Sequence, residues 1–142
     1  MDKLSKEKRS SLMSHVRGVD TGPEMQVRTL IHRMGYRYRL HRRDLPGTPD
    51  IVFPSKKKII FVHGCFWHLH KRCRKARLPK SNEAYWTPKL QANAKRDKKN
   101  MNALKALGWN VLIIWECELK KPTLPSKIKR FLDRPAEAIA RL

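Results

Sequence analysis

Apolar residues recur with helical spacing at both ends of the chain and with strand spacing between them. Leu12, Met13 and Val16 share one face of a cationic segment that opens near Ser5 and stops at Gly18, which predicts a helix. Thr21-Gly22-Pro23-Glu24 has the spacing of a capping box: Thr21 caps, Pro23 takes the first turn, and Glu24 follows three residues on. Val27, Leu30, Ile31 and Met34 then form an apolar stripe that Gly35 ends. Residues 36–41 alternate with period two, a strand with one basic face. A turn-rich stretch at 45–49 leads into Asp50-Ile51-Val52-Phe53, a short buried strand opened by an acid. Residues 54–57 turn the chain back into a hairpin partner at 58–62.

The second half repeats the alternation of types. Thr87-Pro88 is expected to open the longest helix, running to about Leu107 with Gly108 as its cap. Its core stripe is Leu90, Ala94, Met101, Leu104 and Leu107, and Asn93 and Asp97 share a face beside it. Residues 109–115 are almost continuously apolar, which predicts a central strand buried on both faces. A linker at 120–125 precedes a last helix from about Ser126 to Asp133. The order ααβββαβα indicates an α/β fold, a mixed sheet between helices, in a single domain over residues 1–142 with a peripheral C-terminal helix at 120–142.

Charge narrows the partner. The chain's 142 residues carry 33 Lys and Arg against 12 Asp and Glu, a net charge of +21. That excess is spread along the chain, and a fold this basic calls for a polyanion, above all nucleic acid, bound with strong salt dependence. Residues 1–20 read either as a docked surface helix or as an arm on DNA. No apolar run is long enough to span a bilayer and no signal core opens the chain, so an intracellular, cytoplasmic and nucleoid-associated protein with no membrane partner is expected. Three cysteines are an odd number for a disulfide framework, which favours metal ligation.

The chemistry concentrates around Ile59-Ile60-Phe61-Val62-His63-Gly64-Cys65-Phe66-Trp67-His68-Leu69-His70-Lys71-Arg72-Cys73. Cys65, His70 and Cys73 are spaced C-x4-H-x2-C, and a remote Cys117 brings the set to four N and S donors, which fits tetrahedral structural zinc. The plainer reading is buried free thiols with a surface histidine. Asp50 offers a hard oxygen for Mg²⁺ at a strand start, Val62 on the adjacent strand offers a backbone carbonyl, and His63 and His68 are proton-transfer groups suited to neutral pH. A metal there would serve phosphodiester hydrolysis, although an acid after proline is also an ordinary turn residue. Glu24 is accounted for by capping alone. Phe66, Trp67 and Trp86 sit in basic stretches and are suited either to packing or to wedging into a weakly stacked base step such as a mismatch.

These motifs resemble those of the very short patch repair (Vsr) DNA mismatch endonucleases. The resemblance runs from about Ser5 to Leu119 and rests on Arg9-Ser10 with Met13, Thr21 with Glu24, Leu45-Pro46-Gly47 with Pro49-Asp50, His63-Gly64-Cys65-Phe66-Trp67-His68, Asn93 with Arg96-Asp97, and Trp115-Glu116-Cys117. It implies a restriction-endonuclease-like fold with a structural zinc and an Mg²⁺-dependent nick 5′ of the thymine in a T·G mismatch left by 5-methylcytosine deamination. By position it implies Asp50 and Val62 as Mg²⁺ ligands, His68 as general base, His63 as a second catalytic histidine and Glu24 as an acid acting through metal-bound water. It likewise implies Cys65, His70, Cys73 and Cys117 as the zinc site, Phe66, Trp67 and Trp86 as the wedge, and Met13, Lys89 and Asn93 at the mismatched pair, with residues 1–20 as a DNA-contacting arm. The implied partners are double-stranded DNA with a T·G mismatch, a companion DNA cytosine methyltransferase and downstream repair proteins, with a monomer sufficient. Residue chemistry alone leaves open a zinc-stapled binding module without catalysis, and a nuclease of the same fold without mismatch preference.

Overall fold

The computed structural model describes residues 21–76 and 83–135. The helix expected within residues 1–20, Met13 with it, and residues 136–142 lie outside the described residues. Helix α1 spans Gly22–Arg33. The Thr21 hydroxyl accepts from the Glu24 amide at 3.3 Å, taking one of the donors a helix N-terminus leaves over. Val27 and Ile31 are fully buried, and Leu30 and Met34 pack against the same cluster.

Four strands form one sheet in the order β1-β2-β3-β4. Strand β1, Arg39–Leu40, is shorter than the alternation over 36–41 suggests, because its partner β2, Ile51–Phe53, offers only three residues and His41 turns away at φ 49°. Strand β2 pairs antiparallel with β3, Lys58–His63, through a turn that Lys57 closes in the left-handed region at φ 56°. Strand β3 pairs parallel with β4, Asn110–Trp115, from Lys58 opposite Asn110 to His63 opposite Trp115. The connection between them carries α2, Glu83–Ala106.

Three expectations need correction here. Strand β4 is an edge strand among the described residues, not a central one; its apolar run is explained by helices on both faces. Ile114 and Leu112 join the cluster with Ile60 and α1, while Val111 and Ile113 join Ile59, Phe61 and Leu104 of α2. Helix α2 also begins at Glu83, four residues before Thr87, and carries Pro88 inside. Pro88 lacks the N–H that would reach the carbonyl of Ala84, but Ala84 is exposed and water can take that carbonyl. Leu107, expected in the core stripe, is 59 % exposed, since the helix has ended and Gly108 at φ 101° redirects the chain.

Helix α3, Leu124–Asp133, starts two residues earlier than expected, with Pro125 in its first turn. It sends Leu124, Ile128, Phe131 and Leu132 into the α1 side of the core, so the segment expected at the periphery covers one face of the sheet. Its C-terminus is held by Lys58, buried at the start of β3. The ammonium donates to the carbonyls of Phe131 at 2.5 Å, Leu132 at 3.0 Å, and Arg134. Three donors thus meet carbonyls that a helix end leaves unpaired, at the negative end of its dipole.

Candidate active site and metal centres

The end of β3 and the start of β2 bring Asp50 against Val62. Past the Ile51–Ile60 pair, β2 gives way to Asp50, and Oδ2 of Asp50 accepts the Val62 amide at 2.8 Å. In an extended strand the N–H and C=O of one residue face the same edge, so the Val62 carbonyl faces the Asp50 side as well. Asp50 is buried, and burial raises its carboxyl to about 7; the Val62 N–H opposes the rise and the charge of Glu24 adds to it. Two close, buried carboxylates fit a cation, which would remove the cost of ionising both.

Glu24 reaches Asp50 from α1. Its Oε2 lies 2.7 Å from Nε2 of His41 and 3.3 Å from Nη1 of Arg28. Donor atoms of Glu24, His41 and Asp50 all fall within 4.8 Å of one another.

His63 ends β3, and His68 follows in the loop and stacks on it, ring centres 3.9 Å apart and 7° from parallel. Burial, then the charge of His68, lowers His63 to about 4, with Asp97 opposing, so His63 is neutral at pH 7. Its Nδ1 is buried without a hydrogen-bond partner among the described residues. His68 points Nδ1 at Oδ2 of Asp97 on α2, 2.5 Å away. A carboxylate accepts, so this contact places the ring proton on Nδ1 and leaves Nε2 to take a proton. Asp50, Val62, His63, His68, Arg96 and Asp97 line one cleft of about 400 Å³.

Cys65, His70, Cys73 and Cys117 form a second centre, their sulfur and nitrogen donors within 4.8 Å of one another. Cys117 Sγ stands 3.5 Å from Nδ1 of His70, whose ring stacks on Trp115 at 4.1 Å. The loop closes tightly: the amide of His68 donates to Gly64 and that of His70 to Cys65, and Leu69 and Arg72 take positive φ. Burial pushes the Cys65 thiol up to about 12, with Cys117 and Cys73 beside it. Three sulfurs and one imidazole so placed fit a soft or borderline cation that would hold them as thiolates.

Phe66, Trp67 and Trp86 gather into one half-buried cluster with ring centres 5.3 to 5.7 Å apart, all edge-to-face. Asn93 donates to the Trp67 carbonyl at 3.2 Å, and exposed Lys89 donates to the Tyr85 hydroxyl at 3.0 Å. Asp97 and His41 are participants to which the sequence assigned no role, although Asp97 was noted beside Asn93 and within the Arg96-Asp97 motif. Asp97 had a readable signal: it is the sole acid between residues 84 and 106 and sits on the face of Asn93. His41 had none, being one basic residue in a basic strand.

The family model described as DNA mismatch endonuclease Vsr matches residues 1–75. The type II nicking enzyme V.XorIIP of Xanthomonas oryzae is 53 % identical over 93 % of this chain and 97 % of its own. V.NmeAIP of Neisseria meningitidis, also named a type II nicking enzyme, is 40 % identical over 97 % and 99 %. The DNA mismatch endonuclease Vsr of Escherichia coli is 37 % identical over 84 % and 76 %.

The chain belongs to the Vsr family. It is therefore a DNA endonuclease, a phosphodiester hydrolase, and the four-stranded mixed sheet between helices is consistent with that family's nuclease fold. Such a nuclease implies a divalent metal, and the Cys/His centre of this endonuclease is suited to hold another. No helix among the described residues is long and apolar enough to cross a membrane.

Proposed function

We propose that this endonuclease cuts one strand of duplex DNA on the 5′ side of the thymine in a T·G mismatch, with Mg²⁺ at Asp50 and a structural zinc at Cys65, His70, Cys73 and Cys117. The observation that carries the reading is the convergence of buried Asp50 and the His68–Asp97 pair on one cleft. The mismatch named for the Escherichia coli relative and the nicking named for the others support the choice of substrate and of a single-strand cut.

Asp50 and the Val62 carbonyl would hold the ion, with Glu24 beside Asp50 in the same pocket. A divalent ion there would supply Lewis acidity toward the phosphate and the departing oxygen. Nε2 of His68 takes a proton from the attacking water while Asp97 holds the ring and balances its charge. Water oxygen bonds to phosphorus, the P–O3′ bond breaks, the departing O3′ takes a proton from solvent, His68 returns its proton to solvent, and a 5′-phosphate and a 3′-hydroxyl remain. Neutral His63 supports the His68 ring by stacking and is the second histidine of the cleft. Phe66, Trp67 and Trp86 form the wedge at the mismatched step, where unstacking costs least, with Met13, Lys89 and Asn93 at the pair itself. One cut per mismatch needs one copy of a single-domain chain, and the product suits repair at sites of a companion cytosine methyltransferase.

The test is a nicking assay on short duplexes with each strand labelled, T·G against matched, in varied flanks, with Mg²⁺ or with a chelator. One Mg²⁺-dependent cut just 5′ of the mismatched thymine is expected, and Asp50→Ala should abolish it. Equal cutting of matched DNA would discard the mismatch role, and turnover by Asp50→Ala would discard Asp50 as the ligand.

A further inference from the structure

His41 stands out because its backbone bend aims an imidazole at the two buried carboxylates of the cleft. It is not glycine, yet its backbone adopts φ 49°, a left-handed conformation that costs a side-chain-bearing residue about 1 kcal/mol. Its amide donates to the Asp50 carbonyl at 3.2 Å, which ties the bend to the strand that carries the acid. The bend brings Nε2 to 2.7 Å from Glu24 Oε2. The His41 side chain is 20 % exposed, so solvent reaches it, while both carboxylates are more than nine-tenths buried.

We propose that His41 completes, with Glu24 and Asp50, a site of one nitrogen and two carboxylates that binds a divalent first-row transition-metal ion, Mn²⁺, more tightly than the Mg²⁺ with which the enzyme also works. The inference rests on the reading that Asp50 holds the catalytic ion and adds two direct ligands, His41 and Glu24, and a difference in metal affinity to it. The spacing is near what one ion needs: Nε2 of His41 and Oε2 of Glu24 are 2.7 Å apart, and all three donor atoms lie within 4.8 Å of one another, a little beyond the roughly 4.2 Å that two ligands about 2.1 Å from one ion can span, so a bound ion would draw the Asp50 side chain inward by a few tenths of an ångström. The donor set suits it too. Mg²⁺ takes oxygen ligands and gives up its water reluctantly, whereas an imidazole nitrogen raises affinity for transition ions. Binding through Nε2 moves the ring proton to Nδ1, so the Glu24 contact changes from hydrogen bond to shared ligation.

Mn²⁺ is both ion and probe. Zinc-loaded full-length protein is titrated with Mn²⁺, followed by electron paramagnetic resonance, and then challenged with Mg²⁺. Wild type should need at least a tenfold excess of Mg²⁺ to release half its Mn²⁺, and pulsed spectra should show coupling to an imidazole nitrogen. His41→Gln, which keeps a donor for Glu24, should lose the nitrogen coupling and bind Mn²⁺ at least tenfold more weakly, with Mg²⁺ affinity changed less than twofold. Nitrogen coupling that survives in His41→Gln, or one-for-one competition in wild type, overturns the proposal; the wild-type competition stands even if the variant fails to fold. Asp50→Ala separates the two readings. Undiminished Mn²⁺ binding in that variant overturns Asp50 as ligand and this proposal with it, whereas Asp50-dependent binding without a role for His41 overturns this proposal alone.

Discussion

Two buried groups in the cleft titrate in opposite senses, and single substitutions should expose each in turn. Burial lifts Asp50 from 3.8 to about 7 and lowers His63 from 6.5 to about 4. In the window between those values the unfolded chain has Asp50 ionised and His63 protonated, while the folded chain has Asp50 protonated and His63 neutral. Folding takes up a proton at Asp50 and releases one at His63, so the two dependences cancel in the wild type. The Asp50 contribution is full below its unfolded pKa and is lost as pH rises through about 7. The His63 contribution is full above its unfolded pKa and is lost as pH falls through about 4. Each uncompensated proton is worth about 1.4 kcal/mol per pH unit. Asp50→Asn removes the first dependence, so its stability relative to wild type should climb by about 2 kcal/mol between about pH 5 and about pH 6.5. His63→Asn should fall by a similar amount over the same range. Urea unfolding followed by tryptophan fluorescence measures both, since Trp109 is buried and Trp115 touches the His63 ring. The protein is zinc-loaded and freed of other divalent ions, and the zinc is common to all three proteins, so it drops out of the differences. A flat difference for Asp50→Asn across the window would refute the claim that Asp50 enters the fold protonated when no cation is present.

Cys117→Ser removes the one sulfur that comes from beyond the β3 loop; metal analysis after dialysis should find less than one zinc per chain, with a melting temperature lower by about 10 °C. Full zinc at an unchanged melting temperature would exclude Cys117 as a ligand. Lys58→Met strips three carbonyls at the end of α3 of their donor and should cost about 2 to 4 kcal/mol in urea unfolding, against the opposing gain from no longer burying a charge. A loss under about 0.5 kcal/mol would show that water replaces the ammonium there.

Local chemistry made α1 readable. Its cap, proline and apolar stripe all lie within one short segment, and each reports on its own neighbourhood. Strand β4 was readable as a strand but not as an edge. A continuous apolar run reports how many faces are covered, and helices cover both, but it carries no information about how many strands flank it. Lys58 was not readable at all. A lysine at a strand start reads as solvated, and its burial depends on a helix end 73 residues away.

The candidate site divides along the same line. Cys65, His70 and Cys73 were legible as a set because one loop holds them, and Asp50 and Val62 because one hairpin does. Asp97 and His41 meet their partners 29 and 17 residues away, so the sequence around them does not name those partners, even where, as for Asp97, a lone acid on a basic helix marks the position. Spacing along α2 recovers part of what was lost. Asn93, Asp97 and Asn100 lie four and three residues apart and therefore on one face. Asn93 holds the carbonyl of Trp67, Asp97 holds the ring of His68, and Asn100 crowds the turn before Asp50 so closely that a Cβ on Gly47 would stand 3.1 Å from it. A single helix thus fixes the aromatic cluster, the His68–Asp97 pair and the turn before Asp50 at set distances from one another. A shift of α2 along its axis would move all three together, so their relative geometry is carried by the helix rather than by the loops that bear the side chains.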